Sequence, residues 1–96
     1  MLSLNDLTAF LAVAELKSFS RAAEHLHLTQ PAISKRVQSL ESLLGAPLFD
    51  RVGKQVYLTP AGTALLPRAE SLLRAAEDTR RLITDLGNTV SGVLHL

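Results

Sequence analysis

The stretch from Ser18 to Pro47 constrains the fold more than any other, because its capping signals mark two unequal helices with almost nothing between them. Ser18 suits the N-cap of a helix over Phe19 to Leu26, and the Ala22-Ala23 pair lets another helix approach closely. His27-Leu28 then forms a tight turn, where histidine tolerates a positive φ better than most residues. Thr29 caps the next helix, and Pro31 falls in its first turn, where a missing N–H costs nothing. Gly45 ends that helix and Pro47 follows shortly. A short helix, a minimal turn and a longer helix make a helix-turn-helix unit.

The longer helix divides into two faces. At about 100° per residue, Ile33, Val37, Leu40 and Leu44 fall within an arc of about 60°, which predicts a narrow buried stripe. The opposite side holds Pro31, Lys35, Gln38 and Ser42, with Gln30 and Ser34 on its flank. Arg36 lies nearer the buried stripe. Glu41 lies further along toward the open side, where its charge would set a limit to any anion-binding surface.

Before this unit, Leu4, Leu7, Leu11 and Ala14 recur at helical spacing, with Phe10 widening the stripe and Ser3 and Asp6 placed for a capping box. After it, residues 48–50 and 55–58 read as a short hairpin, Leu48-Phe49 supplying one arm and Val56-Tyr57-Leu58 the other, around Arg51-Val52-Gly53-Lys54. Thr59-Pro60 starts a long helix that should stop at Gly87-Asn88, with Pro67 bending or loosening its first turns. Along it Leu65, Ala69, Leu72, Ala76, Thr79, Ile83 and Leu86 form a heptad seam on the order of 40 Å long at ~1.5 Å per residue. So small a domain cannot cover that seam alone, so it predicts a partner helix. Gly92 to Leu96 alternates like a strand with nothing to pair against, and is expected to open a further domain.

Composition narrows the chemistry. The 96 residues carry 47% hydrophobic and 20% charged side chains, as an ordinary folded domain does. There is no cysteine, which excludes disulfides, thiolate metal sites and cysteine nucleophiles. His25 and His27 are two apart and cannot face one metal from a helix, and no Ser/His/Asp pattern supports catalysis. No metal, cofactor or enzymatic activity is therefore expected. No apolar run approaches the ~18 residues of a membrane span, and Met1 to Asp6 lacks the basic start of a signal peptide, so the expected compartment is the cytoplasm. Net charge is +1, but residues 17–58 hold six cations against three carboxylates. That excess is a weak footprint of a phosphate-binding face.

The ordered runs carry a resemblance. Phe10 to Ala14, Ser18-Phe19-Ser20-Arg21-Ala22-Ala23-Glu24-His25-Leu26, Thr29-Gln30-Pro31-Ala32-Ile33-Ser34-Lys35, Leu40-Glu41, Leu44-Gly45, Leu48-Phe49-Asp50-Arg51 and Leu58-Thr59-Pro60-Ala61-Gly62 together resemble the N-terminal DNA-binding domain of LysR-type transcriptional regulators. The resemblance implies a mainly α winged helix-turn-helix: three helices plus a two-stranded β wing over residues 1–59, then a linker and dimerisation helix over 60–87. Residues 88–96 would start an effector-binding domain, through which alone a small-molecule effector would act. The implied partners are double-stranded DNA and a second copy of the chain, with tetramers possible in a full-length protein.

Roles follow for single residues. In a major groove the third helix would present Thr29, Gln30, Pro31, Ala32, Ser34, Lys35 and Gln38. Gln30 has the amide for bidentate contact with adenine, Pro31 and Ala32 suit thymine methyls, and Lys35 reaches guanine or phosphate. Thr29 caps its helix in any case, and Pro31 also serves helix initiation. Arg51 and Lys54 on the wing suit the minor groove, unless Asp50 holds Arg51 in an ion pair. Ser18, Ser20 and Arg21 suit phosphate contacts. Leu65, Ala69, Leu72, Ala76, Ile83 and Leu86 would dimerise. The alternative is a protein-interaction module whose long helix is the functional part.

Overall fold

A computed structural model describes residues 1–94, with side chains as far as Gly87. The elements are α1 (Leu4–Leu16), α2 (Phe19–Leu26), α3 (Gln30–Leu44), β1 (Phe49–Val52), β2 (Gln55–Leu58) and α4 (Pro60–Leu94). The architecture is the expected one, mainly helical with one antiparallel hairpin.

Three helices start on the same device. Ser18 Oγ accepts from the Arg21 N–H at 3.1 Å, Thr29 Oγ1 from Ala32 at 3.2 Å, and Thr59 Oγ1 from Gly62 at 3.1 Å. Each bond satisfies a first-turn N–H that no carbonyl of the helix can reach. α1 departs from this. Ser3 has the extended backbone of a cap, but its side chain makes no capping bond, so the box with Asp6 does not form. The backbone carbonyl of Ser3 still receives the Leu7 N–H at 3.0 Å.

The first three helices end on left-handed residues: Lys17 at φ 54°, His27 at φ 57° and Gly45 at φ 72°. Their N–H groups return to Val13, Glu24 and Glu41 carbonyls at 2.7, 3.2 and 2.8 Å. Lys17 and His27 carry a Cβ there, a strain of roughly 1–2 kcal/mol at each position. The sharp reversal at His27 sets the second and third helices against each other, so this strain is part of the motif's geometry.

α1 is the hub, with α2, α3 and α4 all packed on it. Its Leu7, Ala9, Phe10, Ala12 and Val13 are buried, and Ile33, Val37 and Leu40 of α3 fill the space against them. The core ends at Leu40. Leu44, expected as the last member of the stripe, is 44% exposed because the final turn of α3 projects past the packed interior.

The three phenylalanines join the hairpin to this core. Phe49 lies 5.3 Å from the Phe10 ring and 5.9 Å from Phe19, tilted to one and edge-on to the other, geometries that aromatic pairs favour. Pairing runs Phe49↔Leu58, Asp50↔Tyr57, Arg51↔Val56 and Val52↔Gln55. The second strand covers the expected residues 55–58, whereas the first runs from Phe49 to Val52 instead of over 48–50, and the turn shortens to Gly53-Lys54. Gly53, at φ 62°, supplies the positive φ such a tight connection demands.

Thr59 anchors α4. Its Oγ1 donates to the Pro47 carbonyl at 2.6 Å, and its N–H to the Leu48 carbonyl at 3.0 Å. Ala61, Leu65, Leu66, Ala69 and Leu73 then pack on the cluster of Leu7, Phe10, Leu40 and Leu48. This corrects the seam. Ala69 is completely buried and Leu65 half-buried within the chain's own core, because the stripe that covers α1 overlaps the heptad at these positions. Leu72, Leu82, Ile83 and Leu86 stay exposed, at 42%, 59%, 60% and 53%.

The end of α4 also differs from expectation. The helix continues through Pro67, passes Gly87-Asn88 and reaches Leu94. Gly87 does not take the positive φ that would make it a stop. Gly92 to Leu94, read as a strand from its alternation, is helical, because a lone strand leaves its backbone groups unpaired whereas a helix satisfies its own. His95 and Leu96 lie outside the described residues.

Candidate nucleic-acid interface

The polar face of α3 stands open beside the hairpin. Thr29, Gln30, Pro31, Lys35 and Gln38 are exposed, and Ala32 and Ser34 half-buried. Ser34 and Gln38 share a shallow cleft of about 160 Å³ with Phe19, Phe49 and Arg51. Gln30 and Ser20 share a neighbouring hollow of about 270 Å³ with Arg51, Gly53 and Lys54. Arg51 lines both, so the first half of α3, the start of α2 and the wing form one continuous surface.

Arg51 is held from below. Its guanidinium lies 4.5 Å from the Phe19 ring centroid, a cation–π contact that extends the Phe10–Phe49–Phe19 series from the core to the surface. It is not paired with Asp50. Successive strand residues point to opposite faces, so Arg51 shares a face with Phe49 while Asp50 points away. Phe19 thus acquires a role that the sequence reading did not give it. Its place after a serine cap marks only a buried aromatic; the wing that brings Arg51 over it is thirty residues on.

Ser18, Arg21 and Lys54 line a third hollow together with Lys17. Lys17 was not among the expected contacts, because only the return of the hairpin onto the α1–α2 corner brings it beside Lys54. Ser18 accepts the Arg21 N–H and keeps its own hydroxyl proton for an outside acceptor. Ser20 is different. Its hydroxyl donates to Gln30 Oε1 at 3.1 Å, so its one proton is engaged within the protein.

Glu41 has a second role. Its Oε2 accepts the Leu48 N–H at 2.7 Å, which ties the carboxylate to the loop between α3 and β1. It secures the wing's approach to α3, and the carboxylate still borders the cleft of Ser34, Gln38 and Arg51. His25 and His27 are exposed, and no group of three or more metal-ligating side chains occurs among the described residues. No described helix is long and apolar enough to cross a membrane.

The expected dimer residues separate into two groups. Leu65 and Ala69 serve the core, whereas Leu72, Ile83 and Leu86 are exposed and Ala76 half-buried along the outer part of α4. On the same stretch Glu77 receives Arg80 at 2.7 Å and meets Arg81 at 3.3 Å. The hydrogen bond from Arg80 lowers the Glu77 carboxyl below its ordinary range, and in turn raises Arg80.

Comparison with known proteins agrees with this geometry. The chain is 57% identical over 95 residues to an HTH-type transcriptional regulator of Azotobacter vinelandii from the ibpB-leuC intergenic region, spanning 99% of its own length and 66% of that protein. The structure of Vibrio fischeri DarR in complex with DNA superposes with a TM-score of 0.88 at 38% identity, over 93% of this chain and 30% of that one. The CbnR DNA-binding domain in complex with DNA superposes at 0.84 and 34% identity, over 90% of this chain and 99% of that one. The model of the bacterial regulatory helix-turn-helix proteins of the lysR family matches residues 4–63. The chain belongs to the lysR family of bacterial helix-turn-helix regulatory proteins.

Proposed function

We propose that the chain binds double-stranded DNA sequence-specifically, with the first half of α3 in the major groove and the wing in the minor groove. The observation that carries this reading is the continuous surface on which Gln30, Ser34 and Gln38 flank Arg51 and Lys54. Lys17 and Arg21 extend its positive charge beyond the wing. Side chains able to read base edges therefore lie beside cations able to neutralise the bordering phosphates. That DarR and CbnR, similar in fold, were each solved on DNA supports the reading.

The binding unit is a homodimer on a dyad site, joined through the outer part of α4. Leu72, Ile83 and Leu86 remain exposed there after the chain has completed its own core. The chain spans 66% of the Azotobacter relative and 30% of DarR, and we place a small-molecule effector domain in the longer proteins, beyond α4. Such a regulator works in the cytoplasm, where its DNA lies.

The test is a salt titration of binding to a duplex selected from a random pool and to a scrambled duplex. Lys17, Arg21, Lys35, Arg51 and Lys54 supply five candidate phosphate contacts per chain. The logarithm of affinity should therefore fall with a slope of roughly −4 to −5 per chain in the logarithm of salt. The selected duplex should bind on the order of 10³-fold more tightly or better. Equal affinity for both duplexes would sink the specific-binder reading and leave α4, as a protein-interaction helix, the better account of the chain.

A further inference from the structure

The bond from Ser20 to Gln30 has chemical consequences for what α3 can read. We propose that Ser20 is a positioning residue that restricts the first side chain of α3 to the role of hydrogen-bond donor, so that Gln30 selects a guanine or thymine edge and discriminates against adenine. This deepens the DNA-binding reading above and rests on it.

A free glutamine amide has an acceptor oxygen and a donor NH₂ side by side. Adenine is recognised with both at once, the oxygen taking the N6 proton and the NH₂ reaching N7. Here the Gln30 oxygen receives the Ser20 hydroxyl at 3.1 Å. One lone pair of the oxygen is taken and the oxygen is turned toward α2, so the end turned to an outside partner is the NH₂. Facing adenine, a donor meets the N6 amino group and one of the two groups stays unpaired. Facing guanine O6 and N7, or thymine O4, the same donor is satisfied.

Both ends of the bond are anchored, which makes it a device rather than an accident of two surface side chains. Ser20 sits in the first turn of α2 between the buried Phe19 and the buried Ala22-Ala23 pair. Gln30 opens α3 between the Thr29 cap and Pro31, whose ring fixes the backbone of that turn. Both side chains line the hollow shared with Arg51 and Lys54. A duplex seated there removes water from the bond and strengthens it, because a hydrogen bond gains when its surroundings become less polar.

The experiment is selection from a random duplex pool by the wild-type chain and by Ser20→Ala, Ser20→Thr, Gln30→Ala and the Ser20→Ala/Gln30→Ala pair, with thermal melts showing that each is folded. The wild type should enrich guanine or thymine at the base pair that loses its preference in Gln30→Ala. Ser20→Ala frees the amide and should shift that one position toward adenine by about fivefold or more, the lower end of a bidentate contact. Ser20→Thr keeps a hydroxyl and should keep the wild-type preference. Without the Gln30 amide, Ser20→Ala should change nothing at that position. An unchanged profile in Ser20→Ala, or a uniform loss of affinity with a shallower salt slope, overturns the proposal and returns Ser20 to phosphate contact. A wild-type profile with no preferred sequence overturns the DNA-binding reading itself, and this proposal with it.

Discussion

Two glycines in α4 should respond to alanine in opposite directions. Gly62 lies in the first turn, pressed on the chain entering β1. A Cβ built there falls well inside van der Waals contact distance of the Leu48 carbonyl oxygen and 2.9 Å from Leu58 Cδ2. The Leu58 methyl can swing aside, but the Leu48 carbonyl cannot. It is main chain, and it already accepts the Thr59 N–H at 3.0 Å. The helix must therefore lift away from the wing, loosening the Thr59 anchor and the burial of Leu48. Inserting a methyl into such a contact costs roughly 1–3 kcal/mol, and a backbone obstacle places this case at the upper end. Alanine recovers about 1 kcal/mol of helix propensity. The net loss for Gly62→Ala is about 2 kcal/mol. For a domain of this size that lowers Tm by roughly 8–16 °C.

Gly87 supplies the control. It sits in the same helix with nothing within 4 Å of a built Cβ, so Gly87→Ala should gain up to about 1 kcal/mol from propensity alone. Thermal and urea unfolding of the 96-residue chain, followed by circular dichroism, reads both. If Gly62→Ala matches or exceeds the wild type in stability, the close approach of α4 to Leu48 is not part of the folded state, and the reasoning fails.

Further outcomes follow from particular residues. His27→Gly should stabilise the chain by about 0.5–1 kcal/mol, the left-handed strain relieved less the greater freedom of glycine in the unfolded chain; a lower Tm would mean that the imidazole makes an energetically useful contact. Ile83→Lys with Leu86→Lys should leave a folded chain that sediments as a monomer, since both side chains are exposed outside the core; a persisting dimer would place the interface elsewhere. Glu77 has a lowered carboxyl, so the support it lends α4 is present above the ordinary carboxylate range and fades as pH falls through its folded value. Helicity at low salt should therefore decline in acid more in the wild type than in Glu77→Gln. An identical acid profile in the two would leave the Arg80 contact without effect on the helix.

Much of the fold is local and so is legible in the chain. Ser18, Thr29 and Thr59 each cap a helix through a bond spanning three residues, and Gly45 ends one through a bond to Glu41. Pro31 and Pro60 stand where a helix tolerates proline, and the spacing of Ile33, Val37 and Leu40 marks the buried side of α3. Local signals misled where several elements competed for one residue. The heptad from Leu65 to Leu86 is real as a pattern, yet α1 claims its first two members. The alternation after Gly92 is real as well, but without a neighbouring strand the backbone remains helical as far as Leu94.

The helix-turn-helix and its exposed polar face, from Gln30 to Gln38, were determined by the sequence itself, because capping, turn chemistry and helical period act over a few residues and need no distant partner. Contacts between residues seven or more apart were decided by tertiary structure alone. Arg51 rests on Phe19, Lys17 stands beside Lys54, Glu41 holds the Leu48 N–H, and Ser20 orients Gln30. None of these pairs has a spacing that announces it. Each exists because the packing of α1 against its neighbours brings the two groups side by side, and there the open surface of a helix becomes a site with particular donors and acceptors.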